Sequence, residues 1–274
     1  MKVPLRILIE NKGNPVYTQT MRSFFYITMG WILLAGGFIF VSEASADDSR
    51  LTIPIVKYRG GNYKPRPEAV RSLMAQLARR TSIEVNREAV EITLTDPDLY
   101  RTPFIYMAGN EAFEPFSEKE LRILRHYLSF GGFLLIDDNS SRAHSGFDAS
   151  VRKLMSRLFP KIPLQKISRD HSIYRSFYLI NRVAGRIVLN PFLEGISVKG
   201  RTVLVYSTND LGGAWSRDKL GHWSYDIIAG GTSQRQGSIR LAVNIVMYSL
   251  TLDYKKDMVH LPIILERLRR HHSK

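Results

Sequence analysis

The segment "LRHYLSFGGFLLIDDNSSRAHSGFD", residues 124–148, constrains the fold more than any other part of the chain. A helical stripe, a glycine pair and a short run without polar alternation follow one another, and the run stops at two carboxylates, Asp137 and Asp138. A strand that is apolar at every position hides both faces, the habit of a parallel sheet covered by helices on each side. Parallel neighbours need long crossover connections, so the rest of such a chain must supply helices between its strands.

The chain does supply them. Leu51 to Tyr58, "LTIPIVKY", reads as a first strand and runs into the turn "RGGNYKPRP". Pro67 opens a helix with Val70, Leu73, Met74 and Leu77 at helical spacing. Ile92–Leu94 and Phe104–Met107 read as the next strands, split by "TDPDLYRTP". Ser117 and Glu120 form a capping box, with Phe116 stapled onto Leu121. Leu121, Leu124 and Leu128 face inward, and Gly131 ends that helix in a left-handed turn. After the strand Phe133–Ile136, Asp148 is expected to cap a helix burying Val151, Leu154, Met155 and Leu158. Arg201–Ser207 reads as a late strand and Ser238–Leu250 as a helix apolar on most sides. This alternation predicts an α/β fold with a doubly wound, mostly parallel sheet in one domain, residues 47–255. A basic tail, residues 256–274, sets Ile264, Leu265 and Leu268 beside Arg267, Arg269, Arg270, His271 and His272. It reads as a solvated helix, with a membrane surface or a partner as the alternative contact.

Residues 1–46 carry a different signal. Phe24 to Val41 is apolar and uncharged, Arg22 precedes it, and Ala44–Ala46, "ASA", follows just before Asp47. That order is a secretory signal peptide, with Met21 where such a peptide starts; an uncleaved anchor is the alternative. In both cases the basic flank stays inside and the domain is exported, to the periplasm or the outer face of the inner membrane.

The 274 residues include no cysteine, so disulfides, thiolate metal sites and a cysteine nucleophile are excluded. The formal charge of +14 favours anionic contacts. For an exported protein these are lipid head groups, envelope polysaccharide or an envelope protein partner rather than nucleic acid.

Ligands of open α/β sheets bind beyond the carboxyl ends of the strands. Four segments fall there: "YRGGNY" (58–63), "AGNEAF" (108–113), "DDNSSRAH" (137–144) and "STNDLGGAW" (207–215). Arg59, Gly60 and Gly61 suit an anion cradle. Asn110, Asp138, Asn139, Asn209 and Asp210 add polar groups, and Trp215, with Tyr63 and Phe113, a stacking platform for sugar rings. Asp138, Asn139, His144 and Asp148 carry oxygen and nitrogen ligands for a divalent metal. Asp137 or Asp138 could act as a general base, as could His171 beside Asp170 and Tyr174. Against these stands the plain reading that the carboxylates cap backbone amides in a turn.

The phrases "YRGGNY", "RTSIEV", "LTDPDLYRTPFIYMAGN", "LRHYLSFGGFLLIDD", "LFP", "DHSIYRSFY" and "YSTNDLGGAW" resemble a bacterial family catalogued as domain of unknown function 4159, over about residues 51 to 250. The resemblance implies a class I glutamine amidotransferase-like, flavodoxin-like fold, exported or membrane-linked. The thioester chemistry of such amidotransferases needs a cysteine that this chain lacks. Neither Ser140 nor Ser141 sits in a Gly-x-Ser-x-Gly elbow. The expectation is a non-catalytic envelope module without a cofactor, binding a partner or an anionic or sugar ligand. The alternative is a metal-assisted or acid/base hydrolase using Asp137, Asp138 and His171.

Overall fold

Seven strands join in one sheet, in the order β2-β1-β3-β4-β7-β6-β5. The computed structural model describes residues 50–271, with side chains described through Thr251. The apolar run 24–41 and the "ASA" site lie outside the described residues. Among the described residues no helix is long and apolar enough to cross a membrane.

The strands are β1 (Ile55–Val56), β2 (Glu91–Ile92), β3 (Phe104–Gly109), β4 (Phe133–Asp138), β5 (Gln165–Lys166), β6 (Glu194–Val198) and β7 (Arg201–Ser207). The helices are α1 (Ala69–Arg80), α2 (Glu118–Ser129), α3 (Gly146–Leu158), α4 (Leu211–Trp215) and α5 (Gly231–His271). The strands β2, β1, β3, β4 and β7 run parallel, while β6 pairs antiparallel with both β7 and β5. The sheet is therefore mixed. Its antiparallel edge follows from the turn at Lys199 and Gly200, whose φ angles of 51° and 77° suit a two-residue hairpin.

Successive strand residues point to opposite faces, and here both faces are covered. Ile55, Phe104, Tyr106, Phe133, Leu135 and Val205 pack with α1, Trp215 and the first turns of α5. Val56, Ile105, Met107, Leu134, Ile136 and Leu204 pack with α2 and α3. The unalternating run Phe133–Ile136 thus splits between two cores, as its composition requires.

Local signals explain the helices. The Ser117 hydroxyl accepts from Glu120 N, and the Glu120 carboxylate accepts from Ser117 N, completing the capping box. Gly131, at φ 120°, turns the chain from α2 into β4. The cap of α3 is Ser145, whose hydroxyl accepts from Asp148 N at 2.9 Å, so Asp148 lies inside the first turn instead of capping it. The first strand is shorter than its apolar run because Pro54 cannot donate to a ladder; its carbonyl still accepts from Tyr106 N at 2.9 Å. α5 starts seven residues before Ser238 and runs on through the segment read as a separate tail.

The chain leaves β1 for β2 on one side and returns to β3 on the other. Such a reversal is where open α/β sheets place a ligand crevice, here beyond the carboxyl ends of β1 and β3. The described residues, 50–271, belong to one compact unit.

Leu135 is fully buried at the sheet centre, whereas Phe130 is 77% exposed. Leu135→Ala should cost roughly 2–5 kcal/mol in urea unfolding through the cavity it leaves. Phe130→Ser should stay within about 0.5 kcal/mol of the parent. Equal effects would contradict this layering.

Candidate functional site

The acid pair ends β4 where the sheet meets its crevice, but neither carboxylate is free. Asp137 is fully buried. Its Oδ1 accepts from Leu211 N at 2.9 Å, and its Oδ2 from Gly212 N at 2.7 Å, Tyr106 Oη at 2.8 Å and Asn139 Nδ2 at 2.8 Å. Burial, reinforced by the nearby Asp210 charge, pushes the Asp137 carboxyl up to about 6, while the amide donors at the start of α4 pull it back. Asp138 accepts from Ser140 N at 2.8 Å and from the Ser145 hydroxyl at 2.6 Å. Burial raises its carboxyl too, against the opposing pull of those serines.

A second acid anchors the far side of the crevice. Asp210 sits at φ 52° with its side chain fully buried. It accepts from Arg66 Nη2 at 2.6 Å and Nε at 3.1 Å, from Arg186 Nε and from Gly213 N at 3.0 Å. Arg66 also donates to Asn139 O at 3.3 Å and lies 4.1 Å over the Tyr225 ring. Arg186 donates to Ser141 Oγ, which in turn donates to Asp210 at 3.3 Å. Loops after β1, β4 and β7 are thereby tied to one carboxylate.

The remaining sequence candidates divide. Asn209 is a loop clamp: its Oδ1 accepts from Leu189 N and Asn190 N, both at 2.9 Å, and its Nδ2 donates to Asn190 O at 2.7 Å. Gly60 and Gly61, at φ 68° and 66°, press against residues 111–114; a Cβ on Gly61 would stand 2.6 Å from Ala112 O. Their loop does converge on "AGNEAF", with Glu114 N donating to Arg59 O at 3.0 Å. The Arg59 side chain is mostly exposed, 3.8 Å from Glu114.

Three expectations need correction. Trp215 is no stacking platform: it is 1% exposed in the α1–α5 core, and its indole N–H donates to Ser238 Oγ at 3.1 Å. Its glycine-rich neighbours suggest a surface loop, yet they form α4 and turn the ring inward. His171 is not brought to the acid pair. Its Nε2 meets Thr202 Oγ1 at 2.9 Å and its Nδ1 accepts from Ile173 N at 3.1 Å, capping the short 3₁₀ turn Ser172–Tyr174. Thr202 is the second residue of β7, while Ser207, opposite Asp137, ends it. Five residues of strand, about 16 Å, therefore separate His171's partner from the acids. The metal set Asp138, His144 and Asp148 does not assemble either. His144 is exposed at φ 54°, and Asp148 is held by Tyr206 Oη at 2.9 Å and Arg152 at 3.0 Å. Among the described residues no group of three or more His, Asp or Glu is placed to hold a metal ion.

What the crevice leaves unused is a pair of amides. Asn110 and Asn139 follow Gly109 and Asp138, which are partners in the β3–β4 ladder. Asn139 N donates to Gly109 O at 2.7 Å. The side-chain oxygens of both asparagines are buried without a hydrogen-bond partner. In Asn139 the amide nitrogen is committed to Asp137, which fixes the oxygen as an acceptor.

The sequence pattern of the family described as Domain of unknown function (DUF4159) matches residues 52–250. The chain belongs to this family. The DUF4159 match takes in all four strand-end loops and both layers of the core, and it stops inside α5. No curated protein matches the chain. Arg66, Arg186, Ser141 and Ser145, which position the DUF4159 crevice, escape sequence reading because they lie in polar loops with no periodicity.

The Asp137 carboxyl titrates near 3.8 when unperturbed and at about 6 in the fold. The folded state therefore holds a proton through that interval that the unfolded state has lost, and stability from this group falls as pH rises from 4 to 6. Relative to Asp137→Asn, the parent should lose roughly 3 kcal/mol across that window. Urea unfolding of both proteins at pH steps measures it; a pH-independent difference would mean an ordinary carboxyl.

Proposed function

We propose that this protein is a non-catalytic binding module with a class I glutamine amidotransferase-like, flavodoxin-like fold, whose crevice takes a hydroxyl-rich ligand such as an envelope saccharide. The parallel strand order β2-β1-β3-β4-β7 follows that of flavodoxin-like sheets and supports the fold relation. The observation that carries the binding reading is the unpartnered pair of amide oxygens on Asn110 and Asn139. A buried acceptor without a donor costs about 1–3 kcal/mol, and a ligand hydroxyl recovers that cost. Anions are less suited to this place, because Arg66 and Arg186 are both already engaged by the Asp210 carboxylate. The segment after Asn139 carries Ser141 and His144 at positive φ. Such conformations cost on the order of 1–3 kcal/mol each and ease the rearrangement that admits a ligand.

Catalysis finds little support in the crevice. Asp137 accepts from four internal donors, Asp138 serves the start of α3, and no cysteine is present. The order of Arg22, the apolar run and Ala44–Ala46 supports export, which brings the domain to envelope polysaccharide and protein partners.

Titration with N-acetylglucosamine oligomers and other wall saccharides, read by calorimetry, tests the proposal. Asn110→Ala and Asn139→Ala should each weaken saccharide binding by about tenfold, the worth of one good hydrogen bond, with the melting temperature nearly unchanged in the first and lowered in the second, where Asp137 loses a donor. Product release from those saccharides that disappears in Asp138→Asn would establish the hydrolase reading instead.

A further inference from the structure

A second cavity, lined by none of the crevice groups described above, lies between the loop 179–191 and the first turns of α5, with a volume of about 810 Å³. That is within the range of about 300–1,000 Å³ that accommodates a small-molecule ligand. Arg169, Arg182 and Arg240 line it, and no carboxylate does. Arg169 makes one long bond, to Asn181 O at 3.4 Å, and Arg240 lies 5.6 Å over the Tyr178 ring. Among the described residues Arg182 has neither a hydrogen bond nor an ion pair. Three guanidinium groups around one cleft, none neutralised, are a standing field for an anion. Ser233, in the first turn of α5, adds backbone polarity of the same sign.

The walls of the cavity are held in place. Gln234 donates from Nε2 to Gly185 O at 2.9 Å and to Arg186 O at 3.2 Å, pinning the loop to the helix start. Asn244 grips the segment leading into the loop, donating to Tyr178 O at 2.7 Å and accepting from Tyr178 N at 2.7 Å. The cleft is thus formed before any ligand arrives. Its lining also presents Leu179, 77% exposed, and Val188, 42% exposed, apolar surface beside the positive charge.

We propose that this cavity binds an anionic amphiphile, its phosphate or carboxylate head held by Arg169, Arg182 and Arg240 and its apolar chain laid over Leu179 and Val188. The head can belong to a lipid or to a soluble molecule, and the two sources share this chemistry.

Calorimetry of the full chain with octyl phosphate below its micellar concentration, inorganic phosphate and octyl glucoside tests the assignment. Octyl phosphate should bind at least about tenfold more tightly than either control, since each control lacks one half of the recognition. The double variant Arg182→Gln/Arg240→Gln should lose at least about tenfold in octyl phosphate affinity while its melting temperature holds, because neither arginine has an ion-pair partner to lose. Leu179→Ser should weaken octyl phosphate and leave inorganic phosphate unaffected. Co-sedimentation with phosphatidylglycerol but not phosphatidylcholine vesicles, lost in the double variant, assigns the head to a lipid. Octyl phosphate binding without sedimentation assigns it to a soluble anion. Octyl phosphate bound no better than octyl glucoside, or equally well by parent and double variant, overturns the proposal. Asn139→Ala should not change any of these affinities, which separates this cavity from the crevice.

Discussion

The Asp137 carboxylate, buried at the end of the central strand, is the interaction on which the carboxyl edge of the sheet depends. Its donors come from β3 through Tyr106, from the start of α4 through Leu211 and Gly212, and from Asn139 beside it. Removing a carboxylate from water costs several kcal/mol, and only a full set of donors makes that tolerable. Four donors on two oxygens offset part of that cost, and the carboxyl still sits above its ordinary range. They leave α4 no freedom to rotate or slide relative to β4, and Asp210, one residue before α4, is thereby delivered to Arg66 and Arg186. Two buried acids, one joined to amides and a phenol and the other to guanidinium groups, lock the loops of three strands. An acid pair at a strand end looks like reactive chemistry in sequence; in space Asp137 accepts from the start of α4 and Asp138 from the start of α3.

This arrangement also explains why the fold was more legible than the site. The strands β3, β4 and β7 announce themselves by apolar runs, and α1, α2 and α3 by their spacing. The strands β5 and β6 do not, because "QK" and "EGISV" acquire strand character only by pairing outward from β7 across the Lys199–Gly200 turn. Short α4 is held by an acid 74 residues away, and Arg66 meets Asp210 across 144 residues. Contacts that distant leave no periodic trace. Strand-end topology placed Asp137, Asp138, Asn110 and Asn139 at the crevice from sequence alone. Burial and donor count, which decide between a base, a ligand and a brace, emerge only from the packed structure. The same holds for Trp215 and His171, whose polar or glycine-rich neighbours concealed an interior ring and a turn cap at the opposite edge of the sheet.

The outer strands β2 and β5 have a consequence for how this domain meets other molecules. Each is two residues long, and each carries a charge, Glu91 on one side and Lys166 on the other. Open sheets with long apolar strands inside invite another chain to add itself at the margin, and brief, charged margins are how proteins prevent it. Among the described residues, neither border offers enough consecutive N–H and C=O groups to template a further strand. Strand addition at these two margins is therefore disfavoured. The domain can carry the apolar run Phe133–Ile136 at its centre without that run's chemistry being exposed at the edge, where it would draw copies of the chain into aggregates.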